Sequence, residues 1–136
     1  MMNRIHKMKV LIVGSNPSNA SPDCSGFHIA TKSRVVVERW LKDIECQIEY
    51  TNVATYKTEN NRPLTAKQIK ENLPRLQEEI DGYDKIVALG NTASKALTLL
   101  RADFMAMPHP SGCCRFWNDK EAGERKIEEL KTYIGG

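Results

Sequence analysis

No apolar run in this chain approaches the roughly 20 residues that a membrane-spanning helix needs, so a bilayer is not among its expected surroundings. The basic stretch at residues 1–9 is followed by a short apolar segment, Val10 to Gly14, with no cleavage site, which reads against a secretory signal. Four cysteines, Cys24, Cys46, Cys113 and Cys114, follow no framework spacing, and the adjacent pair would be poor disulfide partners for each other. A disulfide scaffold is therefore not expected, and a reducing cytoplasm is the default compartment. Repeats, low-complexity tracts and linkers are also missing. What is present is ordinary for a globular chain: 136 residues, 40% hydrophobic and 27% charged, enough for one domain spanning residues 1–136. The net charge of +3 permits a nucleic-acid partner without arguing for one, because binding needs a local basic face rather than a high total. Lys7, Lys9, Lys32, Arg34, Lys57, Arg62 and Arg115 are candidates for such a face.

Apolar runs and amphipathic stretches alternate along the chain. Residues 9–13 read as a strand, residues 31–44 as a helix with Val37, Leu41 and Ile44 on one face, and residues 47–53 as a second strand. A polar loop, 54–64, leads to Thr65, which with Gln68 forms the pattern of a capping box. The helix that follows carries Ile69, Leu73, Leu76 and Ile80 on one side. Pro74 interrupts it, so a kink or two shorter helices are expected. Residues 85–89 form a third strand, Gly90 turns directly into a helix over 92–100, and a fourth strand ends at His109. A last helix, 119–134, has Ile127, Leu130 and Ile134 inward and alternating charge outward, a pattern of a solvated face. This alternation predicts a three-layer α/β/α fold around a four-stranded parallel sheet with right-handed crossovers. Strand order is not readable from periodicity.

Two segments nearly a hundred residues apart then become neighbours. Gly14-Ser15-Asn16-Pro17-Ser18 follows the first strand and His109-Pro110-Ser111-Gly112 follows the last, and both lie where open α/β sheets bind ligands, at the C-terminal ends of strands. Removing a base from nucleic acid needs a donor to the oxygen that gains negative charge, a polar group holding water against C1′, an amide reading the base edge, and an aromatic plate beneath it. Asn16 can hold water through its carbonyl but is no strong base; the alternative is a turn-forming Asn before Pro17. His109 as neutral imidazole can donate to the base oxygen, with Ser111 orienting its loop; the alternative is a surface histidine in a turn. Asn52 offers one donor and one acceptor, matching the N3–H and O4 edge of uracil or thymine, unless it merely ends a strand. Phe27 is either the plate or a core aromatic.

Further candidates touch DNA. Arg62, in Asn61-Arg62-Pro63, can meet phosphate, and the stretch from Gly112 through Cys113, Cys114, Arg115 and Phe116 to Trp117 can enter a minor groove. Phe116 and Trp117 have a competing reading as core contacts of the last helix, favoured for Trp117. Cys24 and His28 show a C-x3-H spacing that His109, Cys113 and Cys114 can extend, but no C-x2-C pair exists and adjacent cysteines suit tetrahedral zinc poorly, so no metal is expected. Gly90-Asn91-Thr92-Ala93 lacks the lysine and glycine spacing of a phosphate loop and reads better as a tight strand-to-helix turn.

Taken in order, these motifs resemble the uracil-DNA glycosylase superfamily. Gly14-Ser15-Asn16-Pro17-Ser18 is similar to the first motif of its mismatch-specific and single-strand-selective branches. Thr51-Asn52-Val53, Asn61-Arg62-Pro63-Leu64-Thr65, Ile86-Val87-Ala88-Leu89-Gly90-Asn91-Thr92-Ala93 and Ala96-Leu97 resemble the middle of the thermostable iron–sulfur branch. His109-Pro110-Ser111 matches the final motif, and Gly112 with Arg115 resembles the mismatch-specific insertion loop. The resemblance runs from Val10 to Arg115. It implies a four-stranded parallel sheet between helices and hydrolysis of a pyrimidine from single-stranded or mismatched DNA by a monomer. Asn16 and His109 would be catalytic. Asn52, Phe27, Gly14, Ser15, Pro17 and Ser111 would hold the base, and Arg62, Gly112, Cys113 and Arg115 would contact DNA. No cysteine pair precedes Val10 and Tyr56-Lys57 stand where the iron–sulfur branch has a loop cysteine, so no cluster or other cofactor is expected. Asn16 replaces the Asp of the fastest members, implying slow or narrow activity, and Cys113 replaces a large apolar wedge, implying weak flipping from duplex. Two further readings stay open: a binding module of the same fold that holds a base, nucleotide or DNA without hydrolysis, and a hydrolase of free nucleosides or nucleotides.

Overall fold

The computed structural model describes residues 8–15, 32–54, 56, 64–109 and 115–135. Strand β1 (Met8–Gly14) is followed by α1 (Lys32–Leu41), β2 (Cys46–Asn52), α2 (Ala66–Ile80), β3 (Lys85–Leu89), α3 (Gly90–Leu99) and β4 (Met105–Met107). A 3-10 turn (Arg115–Asn118) leads into α4 (Lys120–Gly135). All strand pairs are parallel, in the order β2-β1-β3-β4.

β1 sits inside this sheet because its sequence suits no other place. Val10, Leu11, Ile12 and Val13 are all buried, so both faces of the strand are covered, as expected of a continuous hydrophobic run in a parallel sheet. Leu11 and Val13, with Ile86 and Ala88 of β3, face a core built with Ile69, Leu76 and Ile80 of α2 and Ala93, Ala96 and Leu97 of α3. Val10 and Ile12, with Val87 and Leu89, face the opposite core of Val37, Trp40 and Leu41 from α1 and Leu130 and Ile134 from α4. Helices thus lie two to a face, giving three layers. The crossover through α1 runs outward along the sheet on one face. Those through α2 and α3 run the other way on the opposite face, so all three share one hand.

The alternating reading of the chain holds, with shifts at the ends. α1 stops at Leu41 rather than at residue 44, where the Ile44 N–H donates to the Leu41 carbonyl at 3.0 Å in a closing turn. β2 is displaced by one residue, to Cys46–Asn52. α3 starts at Gly90 rather than residue 92. β4 is only three residues long and ends at Met107, so His109 lies two residues past the strand and not at its last position. The capping box forms in full: Gln68 N–H donates to Thr65 Oγ1 at 3.1 Å and Thr65 N–H to Gln68 Oε1 at 2.9 Å.

Pro74 does not divide the helix in two; α2 runs unbroken from Ala66 to Ile80. Proline removes the bond that its N–H would make to the carbonyl four residues earlier, here that of Lys70. Both residues are exposed, so water can serve that carbonyl, while Ile69, Leu76 and Ile80 keep the opposite side in the core. Pro74→Ala is expected to raise the unfolding free energy by about 2 kcal/mol, from about 3 for an interior proline less up to about 1 for a looser unfolded chain. A urea titration measures this, and a lower midpoint would show that the pyrrolidine ring itself packs usefully.

Candidate functional site

The strand order places one edge of the sheet apart from the rest. β1 connects outward to β2, and the chain then returns across it to β3, so the connections leave in opposite directions between β1 and β3. At such a switch point a crevice opens outside the carboxyl ends of the strands. Gly14 and Ser15 lie at that end of β1 and Gly90 at that end of β3. Asn52 closes β2 on one side, and His109 follows β4 on the other. The two outer strands are three spacings of about 4.8 Å apart, roughly 14 Å.

Asn52 is the buried polar residue of the core, 4% exposed. Its register partner is Gly14, and the pairing continues past the strand: Val53 N–H donates to the Gly14 carbonyl and Ala54 N–H to the Ser15 carbonyl, each at 2.9 Å. Its own carbonyl is held from α2. Arg75 donates through Nη2 to the Asn52 carbonyl at 3.0 Å and to the Val53 carbonyl, while Nη1 meets Glu79 Oε2 at 2.5 Å. Glu79 Oε2 also accepts from Thr51 Oγ1 at 2.7 Å. The backbone beneath Asn52 is thereby fixed from a neighbouring layer. Among the described residues its side-chain amide makes no hydrogen bond.

His109 is half-buried, and burial holds its imidazole below the ordinary value of 6.5 by disfavouring the charged form. At pH 7 the ring is therefore neutral, with one donor and one acceptor nitrogen. Its ring lies against Gly90: a Cβ there would sit 3.5 Å from His109 Cβ and 3.6 Å from Cδ2. Gly90 has φ +86°, a conformation that costs an L side chain about 1–2 kcal/mol, so glycine at this position serves both the turn and the contact. α3 begins at Gly90, and its N-terminal end adds partial positive charge beside the imidazole. On the other side, the Trp117 indole N–H donates to the His109 carbonyl at 2.8 Å.

Of the residues singled out in the sequence, Gly14, Ser15, Asn52 and His109 are thus brought to one edge of the sheet. Arg115 begins the 3-10 turn that follows. Asn16, Pro17, Phe27, Arg62, Ser111, Gly112 and Cys113 lie outside the described residues, as do Cys24, His28 and Cys114 of the metal reading. Among the described residues no three His, Cys, Asp or Glu side chains gather as a metal site would require. Of the candidate basic face, Lys9 stands near the start of β1, at the opposite end of the sheet. Its amine lies 5.3 Å from the Tyr83 ring, and its backbone N–H donates to Asp84 Oδ2 at 2.8 Å. Arg34 rests 4.6 Å over the Tyr50 ring and pairs with Glu38. Trp117 takes its core reading, packed 5.2 Å from Trp40, while Phe116 remains 37% exposed. Arg75 and the contacts of Trp117 and Gly90 with His109 were not foreseen.

These features describe a doubly wound α/β protein with Asn52 and His109 at the carboxyl edge of its parallel sheet. The match is more specific than that: the model of the uracil DNA glycosylase superfamily fits residues 4–131, and the chain belongs to that superfamily. Its members act on DNA, with chemistry of the glycosylase type. A comparison with curated proteins finds no match. No helix among the described residues is long and apolar enough to cross a membrane.

Two outcomes follow from this geometry. Arg75→Ala should cost about 2 kcal/mol, the scale of charged hydrogen bonds to carbonyls, and should speed hydrogen exchange at the Val53 and Ala54 amides first. Unchanged exchange at those two amides would remove Arg75 from the support of Asn52. The His109 imidazole, followed by NMR, should titrate below 6.5. Because the unfolded chain takes this proton more readily, its contribution to stability is intact above pH 6.5 and erodes as pH falls from there toward the lowered folded value.

Proposed function

We propose that this protein is a DNA glycosylase that hydrolyses the N-glycosidic bond of uracil or a related pyrimidine in DNA. The observation that carries the reading is the placement of Asn52 at the end of β2 and His109 just past β4, at the carboxyl edge of a sheet with this family's fold. Asn52 supplies a nearly buried amide that makes no hydrogen bond among the described residues, the right group for a base edge that presents N3–H and O4. His109, neutral at pH 7, supplies an N–H to the base oxygen that gains charge as the C1′–N1 bond breaks and its electrons pass to the base. The start of α3 beside it favours negative charge by about 0.3–1 kcal/mol.

The remaining roles rest on the motifs. Asn16 places water against C1′; lacking a basic group, it leaves most of the rate to the electrostatics around the departing base. Gly14, Ser15, Pro17 and Ser111 line the base site, Phe27 stacks on the base, and Arg62, Gly112, Cys113 and Arg115 meet the DNA. Single-stranded or mismatched DNA is the favoured substrate, since the base is then easier to extrude. In this reading residues 1–136 form one domain that works as a monomer in the cytoplasm without a cofactor.

The test is single-turnover base release from single-stranded, U·G and U·A oligonucleotides. His109→Ala should reduce release by about 100-fold or more, the range for loss of one stabilising donor, and Asn16→Ala should abolish release while sparing binding, because the attacking water is no longer held. Asn52→Ala should lose discrimination between uracil and cytosine. The rate should fall on the acid side with a midpoint below 6.5, and His109→Gln, which keeps a neutral donor, should remove that limb. No release by the intact protein at stoichiometric concentration, with uracil-containing DNA still bound, would replace catalysis with a binding role for the same site.

A further inference from the structure

We propose that Trp117 is a positioning residue for His109, acting through the hydrogen bond from its indole N–H to the His109 carbonyl. This rests on reading His109 as the donor to the departing base. The pairing of β4 with β3 ends at Leu89 and Met107, so the sheet ladder itself does not reach residue 109. The bond from Trp117, at 2.8 Å, is a fixed point beyond it.

The direction of that N–H is set by its surroundings. The indole is tilted 34° against Trp40 of α1 at a centroid distance of 5.2 Å, and Phe116 meets it edge-on at 86° and 5.2 Å. Beneath it lies Gly123 of α4, where a Cβ would come within 3.0 Å of Trp117 Cε3. Three neighbours thus restrict the ring, and the 3-10 turn that carries it leads directly into a helix anchored by Leu130 and Ile134. An indole N–H taken from water needs an acceptor, and here that acceptor is the backbone of the candidate donor residue itself. Holding the carbonyl restricts the backbone at residue 109. The imidazole is then kept against Gly90, where its Cδ2 would be 3.6 Å from any added Cβ. His109 is gripped at the main chain from the α1 and α4 side and at the ring from the start of α3.

The test uses the full chain with Trp117→Phe, which keeps an aromatic ring and removes the N–H, and Gly123→Ala, which keeps the N–H and displaces the ring. Two readouts are taken: the nuclear Overhauser contact between His109 Hδ2 and the Gly90 Hα protons, and single-turnover release of uracil beside affinity for the same oligonucleotide. Trp117→Phe is expected to abolish the contact and slow release about 10-fold or more with affinity unchanged within twofold, since small misplacements of a reacting group carry such losses. Gly123→Ala should weaken both in the same direction, by less. A contact and rate like those of the unsubstituted protein in folded Trp117→Phe would reduce Trp117 to a packing residue and overturn the proposal; if that variant does not fold, the same result in Gly123→Ala does so. Where the unsubstituted protein releases no base, the Overhauser contact still decides the role of Trp117, and only the glycosylase reading falls.

Discussion

Everything in this molecule depends on the hydrogen bonding of β1 along both of its edges. Seven residues pair in register with β2 and four with β3, and the strand's side chains are buried above and below. Such a strand cannot slip by one position without exchanging Val10 and Ile12 for Leu11 and Val13 between the two cores. Because β1 is locked, its last residue, Gly14, is locked too, and with it the level at which β2 and β3 end. The ligand edge is a consequence of that alignment rather than a separate construction.

What β1 cannot reach is held from the flanking layers, by opposite means. On one side a cation from α2 grips the carbonyls of Asn52 and Val53, supported by Glu79 and Thr51. On the other an aromatic N–H from the segment before α4 grips the carbonyl of His109. In each case it is the main chain that is tied, while among the described residues the Asn52 amide makes no hydrogen bond and the His109 ring rests against Gly90. The two side chains with the most direct chemistry are therefore supported from behind, by groups in different layers of the fold. The depressed proton affinity of His109 belongs to the same arrangement, because the packing that orients the ring also withdraws it from water.

Much of the fold was readable because its signals are local. Lys85–Leu89 is a strand with the boundaries its apolar run suggests, and Thr65 with Gln68 caps α2 as the spacing requires. The edge position of Asn52 and the neighbourhood of His109 followed from strand ends alone. The division of α2 at Pro74 did not occur because the proline's effect depends on which way it faces, and solvent exposure is a tertiary property. Likewise β4 stops at Met107, short of the residue that the pattern implied, since pairing needs a partner and β3 ends at Leu89. Arg75 and Trp117 were unreadable for a deeper reason. Each acts on a carbonyl, a group every residue has, so no motif marks the recipient, and the distance along the chain, 23 residues in one case, conceals the meeting. Strand order, which turns four separate strand ends into one crevice, is equally invisible to periodicity.

The outer strands have a further consequence, for the company this protein keeps with copies of itself. A sheet with free edges can template the growth of another sheet, and long apolar borders invite it. Here one border, β4, offers only three residues, too few for a lasting ladder. The other, β2, is longer but carries Gln47 and Glu49 exposed on one face, with Thr51 beyond them tied to Glu79. An incoming strand laid along it would set its own side chains beside that carboxylate. The most apolar segment of the chain, Val10 to Val13, is kept in the middle of the sheet, where only unfolding would expose it to aggregation.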